Sequence, residues 1–180
     1  MDESSVLPVT GFERKKMTGS ELAGFFHGIR KRHPHQKITF LCIGTDRSTG
    51  DALGPLVGSR LEEQGFTNVI GTLKFPCDAV NLEMRMSAIP KGHIIVAIDA
   101  CLGAASSVGS YQVSGLPLLP AQSVGRILPA VGHYSVAAVV NVNGPKPYWT
   151  LQMTSLHQVM EMSRVLAESI ISGFNYDEFG

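Results

Sequence analysis

Asp51 and Asp99 are the residues whose surroundings in the sequence best suit chemistry. Asp51 ends the run Gly44-Thr-Asp-Arg-Ser-Thr-Gly-Asp51 and is followed by Ala-Leu-Gly-Pro55, just after the apolar segment Ile38 to Ile43. Asp99 follows His93 to Ile98, six residues of which five are apolar, and precedes Ala100 and Cys101. If both apolar segments are strands of an open α/β sheet, both aspartates open into the crevice outside the carboxyl ends of those strands, where such sheets bind ligands. Burial raises a carboxyl pKa, and a second carboxylate nearby raises one of the pair further, so two such groups can share a proton or hold a cation. Asp51 also has a plainer reading as the N-cap of the next helix. Pro55 bears on that choice: proline is easiest at the first helical position, which would make Gly54 the cap and leave Asp51 in the loop.

His133, after Val131-Gly132 and before the apolar run Tyr134 to Val140, is the histidine that could join the two aspartates. Two carboxylates and an imidazole would make a ligand set for nickel, zinc or a similar ion; a histidine at the end of an element is the alternative. His33-Pro-His35 lies between a basic helix end and a strand start, at the opposite edge from the crevice, and reads as solvated. Gly44 and Gly50 do not form a phosphate loop, because GxGxxG and GK[ST] are both missing and Asp46 and Asp51 would repel a phosphate. Ser48, Ser106 and Ser107 have no GxSxG elbow, which removes support for a serine hydrolase.

The elements that must position these residues follow from periodicity. Thr18 and Glu21 make a capping box, and Leu22, Phe25, Phe26 and Ile29 at helical spacing predict a first helix over about residues 19–32, stopped by Pro34. Ile38 to Ile43 reads as a strand buried on both faces. Ala52, Leu53, Leu56, Val57 and Leu61 mark a second helix ending near Gly65. Val69 to Leu73 is a second strand, Asp78 caps a helix carrying Ala79, Leu82, Met86 and Ile89, and His93 to Ile98 is a third strand. Gly109 to Val113 and Tyr148 to Met153 are expected as later strands, and a C-terminal helix capped by Thr154 or Ser155 carries Leu156, Val159, Met160, Leu166, Ala167 and Ile170. Alternating strands and helices imply right-handed crossovers around a mostly parallel sheet, hence a three-layer α/β/α sandwich. Residues 1–17 are aperiodic and read as a flexible arm, with one domain over 18–180.

Composition narrows the function. The 180 residues carry fifteen basic and fifteen acidic side chains, so no global field draws in nucleic acid or an anionic membrane. Arg30, Lys31 and Arg32 suit a helix C-terminus instead. The first residues lack a basic region and an apolar core, and no apolar run is long enough to span a bilayer, which points to the cytoplasm. Cys42, Cys77 and Cys101 form no CxxC pair and fit a reducing compartment as small buried apolar residues.

The stretch Thr49-Gly50-Asp51-Ala-Leu-Gly-Pro55, together with Ile95-Val-Ala-Ile-Asp99-Ala100, resembles the endospore germination protease and, more closely, the sporulation-linked YyaC-type proteins. It is similar, more distantly, to the hydrogenase maturation endopeptidases. The resemblance covers about residues 38 to 171. It implies a phosphorylase/hydrolase-like fold with Asp51 and Asp99 as the acidic residues of a protease site. In the maturation endopeptidases a histidine joins two acids around nickel, a role that would fall to His133. Gly50 stands where the germination protease usually has proline, and this chain is much shorter than that enzyme.

The expectation is a peptidase-like hydrolase of the sporulating cell or spore interior. Asp51 and Asp99 activate water, either as an acid/base pair or by holding a divalent metal. Its partner is a protein or peptide substrate, such as a spore protein, and self-association stays open. The alternative is a catalytically silent binding or regulatory protein on the same fold. The Pro/Gly-rich stretch Gly115 to Gly132 is the candidate substrate-contacting loop.

Overall fold

A computed structural model describes residues 13–120 and 127–175. Thr18 opens the first helix as its sequence predicts: the Glu21 carboxylate accepts hydrogen bonds from the Thr18 N–H at 2.7 Å and from its hydroxyl at 3.0 Å. A short 3-10 turn follows, then α1 (Leu22–Arg32), whose stripe of Leu22, Phe25, Phe26 and Ile29 is buried. Each such side chain gains about 1.5–3 kcal/mol on burial, against roughly 1 kcal/mol for a cap, so packing rather than local propensity holds the helix.

The sheet has six strands, β1 (Lys15–Met17), β2 (Ile38–Cys42), β3 (Val69–Ile70), β4 (Ile94–Gly103), β5 (Tyr111–Ser114) and β6 (Tyr134–Val142), in the order β1-β5-β6-β4-β2-β3. Its centre is parallel, β3 with β2, β2 with β4 and β4 with β6, while β5 and β1 extend it in antiparallel fashion. The remaining helices are α2 (Leu53–Glu63), α3 (Leu82–Ser87), α4 (Pro147–Gln152) and α5 (Leu156–Asn175). The architecture is α/β with two unequal outer layers. On one face α1, α2 and α5 pack over Phe40, Val96, Ile98, Val136 and Ala138; on the other, a smaller core joins Leu41, Ala97, Cys77, Leu82, Leu118 and Val131. Alternation along β4 sends Ile94, Val96 and Ile98 to the thick layer and Ile95, Ala97 and Asp99 to the thin one.

Four local expectations change. Lys15–Met17, read as part of an unstructured arm, pair with Val113, Gln112 and Tyr111 as an edge strand; residues 1–12 lie outside the described residues. Two exposed lysines on that edge are the kind of charge that discourages further strand pairing. Tyr148 to Met153, expected as a strand on its aromatic content, lies mostly in helix α4, because Pro147 at the first helical position has no ladder N–H to give and starts a helix well. β3 is only two residues long, since the chain turns where the Thr72 N–H bonds the Phe75 carbonyl. His33 is half-buried rather than solvated: its ring meets the Tyr134 hydroxyl at 2.9 Å and the Gln36 side chain at 2.6 Å, tying the end of α1 to β6.

Gly54, in the first turn of α2, lies against the end of β2. A Cβ there would stand 2.1 Å from the Ile43 carbonyl oxygen, so α2 reaches the sheet only because this residue has no side chain. Gly54→Ala should therefore lower stability by at least about 1–3 kcal/mol, the usual cost of overpacking. Gly24→Ala, on an exposed and open position of α1, should instead raise it by about 0.5–1 kcal/mol. Urea denaturation of both variants checks the pair; a Gly54→Ala protein as stable as the parent would mean that α2 does not need this approach.

Candidate functional site

The order β3-β2-β4 means that the connection leaving β2 goes to one side and the chain then returns to β4 on the other. Their carboxyl ends flank the point where the winding reverses, the position at which open α/β sheets bind ligands. A cavity of about 780 Å³ opens there, and both Asp51 and Asp99 line it. Its size falls in the roughly 300–1,000 Å³ range of small-ligand and cofactor sites.

Asp51 sits in a 3-10 turn, Gly50–Ala52, ahead of α2. It is not a cap: the residue flanking α2 is Ala52, and neither the turn nor the helix has a side-chain cap bond. The turn is drawn onto the end of β2 by the Thr45 N–H, which donates to the Asp51 carbonyl at 3.1 Å. Gly44 makes this closure possible. Its φ of 149° lies in the region that favours glycine, and a Cβ would stand 2.0 Å from the Asp51 carbonyl oxygen.

Asp99 lies within β4, not at its end, because β4 runs on to Gly103 beside β6. The β2–β4 ladder, however, stops at the Cys42–Ile98 pair. Asp99 is thus the first residue of β4 beyond its β2 partner, on the thin-layer face, where its carboxylate meets the cavity instead of a packed core.

The electrostatics separate the two acids. Burial pushes the Asp99 carboxyl well above the ordinary carboxylate range and the charge of Asp51 pushes it further, against the pull of the Ala100 N–H, which donates to Oδ1 at 2.8 Å. Burial also raises Asp51. The Ser48 hydroxyl, buried without a fully formed hydrogen bond, stands close enough to Asp51 to oppose part of that rise. Burial and the Asp51 charge together disfavour the ionised form of Asp99, whereas at Asp51 burial is partly opposed by Ser48.

His133 does not join them. It precedes β6, which is parallel to β4, and so lies at the amino end of the strands, opposite Ile95, roughly 13 Å along the strand from Asp99. Its N–H donates to the Ile95 carbonyl at 2.8 Å and its Nδ1 accepts from the Ile95 N–H at 2.9 Å, while burial lowers its pKa. A histidine meant for the crevice would have to follow a parallel strand, not precede one.

Asp78, expected only as a helix cap, lines the same cavity. A single parallel bridge between Ile43 and Cys77 carries it to the carboxyl edge beside Gly44, and its Oδ1 accepts from the N–H groups of Val80 and Asn81 at 2.9 and 3.2 Å. The signal for it was its place after the second strand, at the same end of the sheet as Asp51. Arg47 and Cys101 are also on the wall. Cys101 is only partly buried, unlike Cys42 and Cys77, yet burial and the neighbouring Asp99 push its thiol up to about 12, so it is no thiolate nucleophile. Leu119, from the stretch Gly115 to Gly132, reaches the cavity; residues 121–126 of that stretch lie outside the described residues. No described helix is long and apolar enough to cross a membrane.

Residues 13–169 match the family described as Protein of unknown function (DUF1256). The chain is 47% identical over 138 residues, 74% of its own length and 67% of the relative's, to Uncharacterized protein YyaC of Bacillus subtilis (strain 168). Among solved structures it is similar to the NiFe hydrogenase maturation protease HycI of Thermococcus kodakarensis KOD1, with a TM-score of 0.48 and 16% identity, over 80% of this chain and 99% of that one.

The raised pKa of Asp99 makes a signed prediction about stability. A group whose pKa is raised by folding stabilises the native state fully below its unfolded pKa, ordinarily 3.8, and loses that contribution as pH rises through the folded value. Asp99→Asn removes this loss. Its melting temperature should match the parent's most closely at acid pH and exceed it by a margin that widens toward neutrality. Thermal melts between pH 4 and 8 read the margin, and a gap that narrows with rising pH would contradict the placement of Asp99 in a desolvated wall.

Proposed function

The chain belongs to the DUF1256 family, and we propose that it is a peptidase-like hydrolase whose paired carboxylates, Asp51 and Asp99, activate water against a peptide carbonyl. The observation that carries this reading is the meeting of the two acids at one cavity, with Asp99 the more strongly desolvated of the two. Like charges held close cannot both ionise easily, and two carboxyls sharing one proton are an established device for hydrolysis without a bound ion.

In the reaction, Asp51 accepts a proton from a water molecule as its oxygen bonds to the carbonyl carbon, and Asp99 gives its proton to the carbonyl oxygen. Collapse of the tetrahedral species returns that proton to Asp99 and transfers the other from Asp51 to the leaving amine, so the pair ends as it began. A divalent ion is the other use of two carboxylates. The donors fit a nickel or zinc ion poorly: no group of three or more histidine, cysteine or acidic residues among those described could hold a metal, and His133 is spent on the Ile95 amide. The chemistry is therefore assigned to the carboxylates and water. The resemblance of both aspartate loops to the germination protease supports the same two residues, and it points to a protein or peptide substrate within the cytoplasm of a sporulating cell.

Incubation with spore proteins and a mixed peptide library, read by mass spectrometry, tests the assignment. Asp51→Asn and Asp99→Asn should each lower the cleavage rate about 10²–10⁴-fold, whereas His133→Ala should not change it. The rate should also fall on both sides of a pH optimum, since it needs one proton on the pair and neither two nor none. Equal cleavage by the parent and both asparagine variants would remove the aspartates from the mechanism.

A further inference from the structure

We propose that the cavity selects extended peptide segments that carry a large apolar side chain and no carboxylate beside it, with Val80, Leu119 and Tyr148 as the specificity-determining rim. This rests on the cavity being the substrate site. Three separate parts of the chain each deliver one exposed apolar side chain to that cavity: Val80 before α3, Leu119 after β5 and Tyr148 in α4. They are 80%, 55% and 55% exposed. Scattered exposed apolar residues need no explanation, but three around one concave site give a substrate side chain something to bury against.

Their presentation is built into the backbone. Val80 is held outward by a hydrogen-bonded turn in which its own N–H donates to Asp78, while the Asn81 side chain accepts from the Asp78 N–H at 3.0 Å and donates to the Pro76 carbonyl at 3.0 Å. Tyr148 sits in the first turn of α4, started by Pro147.

Charge narrows the occupant. Among the described residues that line the cavity, the acids Asp51 and Asp78 outnumber the one cation, Arg47, so an acidic segment would enter against repulsion that a neutral or basic one would not meet. The occupant is then a neutral or basic peptide whose apolar side chain seats against the rim while its backbone lies over the two catalytic acids.

Fluorescence anisotropy with labelled ten-residue Gly/Ser/Lys peptides, differing only at a central Leu, Phe or Ser, tests this on the full chain carrying Asp99→Asn, to avoid turnover. The Leu and Phe peptides should bind at least about tenfold more tightly than the Ser peptide, and a Glu placed beside Leu should remove most of that gain. A Val80→Ser/Leu119→Ser variant, shown by its melt to be folded, should bring the three affinities to within about twofold. Equal affinities on the unmodified rim, no binding of any peptide, or a preference that survives the rim substitutions would each overturn the proposal. Selective binding by this chain without cleavage by the parent would sink the hydrolase reading and leave the rim standing, whereas cleavage by the parent with no side-chain preference would do the reverse.

Discussion

The approach of the Gly44 loop to the carbonyl of Asp51 is the constraint on which the site depends. Without a Cβ at that position, the chain leaving β2 can fold back on itself, place Asp51 over the end of the sheet and start α2 within two residues. α2 is then pinned to the same strand end by Gly54 against Ile43. One acid thus has its location fixed by backbone contacts with β2, and the other by the strand next to β2. Neither depends on a long side chain finding its place.

The same arrangement works against stability. Two carboxyls share a partly dry wall, Asp99 with the Ala100 N–H on its Oδ1, across the sheet from a thick-layer core that is mostly apolar among the described residues. That cost is borne by α1, α2 and α5, whose buried stripes meet the opposite face of the sheet. The thin layer, by contrast, is a short helix and loop segments around Cys77, Leu82, Leu118 and Val131. The cavity opens toward this thinner side, where less packing must be given up to leave it open.

Much of this was legible in the sequence because burial leaves a strong pattern. Continuous apolar runs marked β2 and β4, helical stripes marked α1, α2 and α5, and the position of each aspartate just after an apolar run marked the crevice. What the sequence could not express was direction. His133 borders an apolar run as Asp99 does, but it stands before a parallel strand rather than beyond the point where a neighbouring ladder ends, and the difference appears only once strand order is known. Asp78 escaped for a related reason: the one-residue bridge at Cys77 that brings it to the cavity has no periodicity to detect. Tyr148 and Trp149 misled through their side chains, because aromatic residues favour strands only where a sheet is available to receive them, and here Pro147 starts a helix first.

The edge strand β1 also sets an order of events. Its partner β5 lies roughly a hundred residues further along the chain, a closure whose entropic cost grows only slowly with length but which cannot occur until both segments exist. During synthesis Lys15–Met17 must therefore wait while β2, β3 and β4 are made, and β5 itself has β6 as its other neighbour in the sheet, a strand made later still. The first strand in sequence is thus among the last to gain its pairing. Until then the β5 edge stands open, and a nascent chain halted before β6 would leave the β6 side of β5 unpaired, the condition in which sheets recruit strands from other molecules.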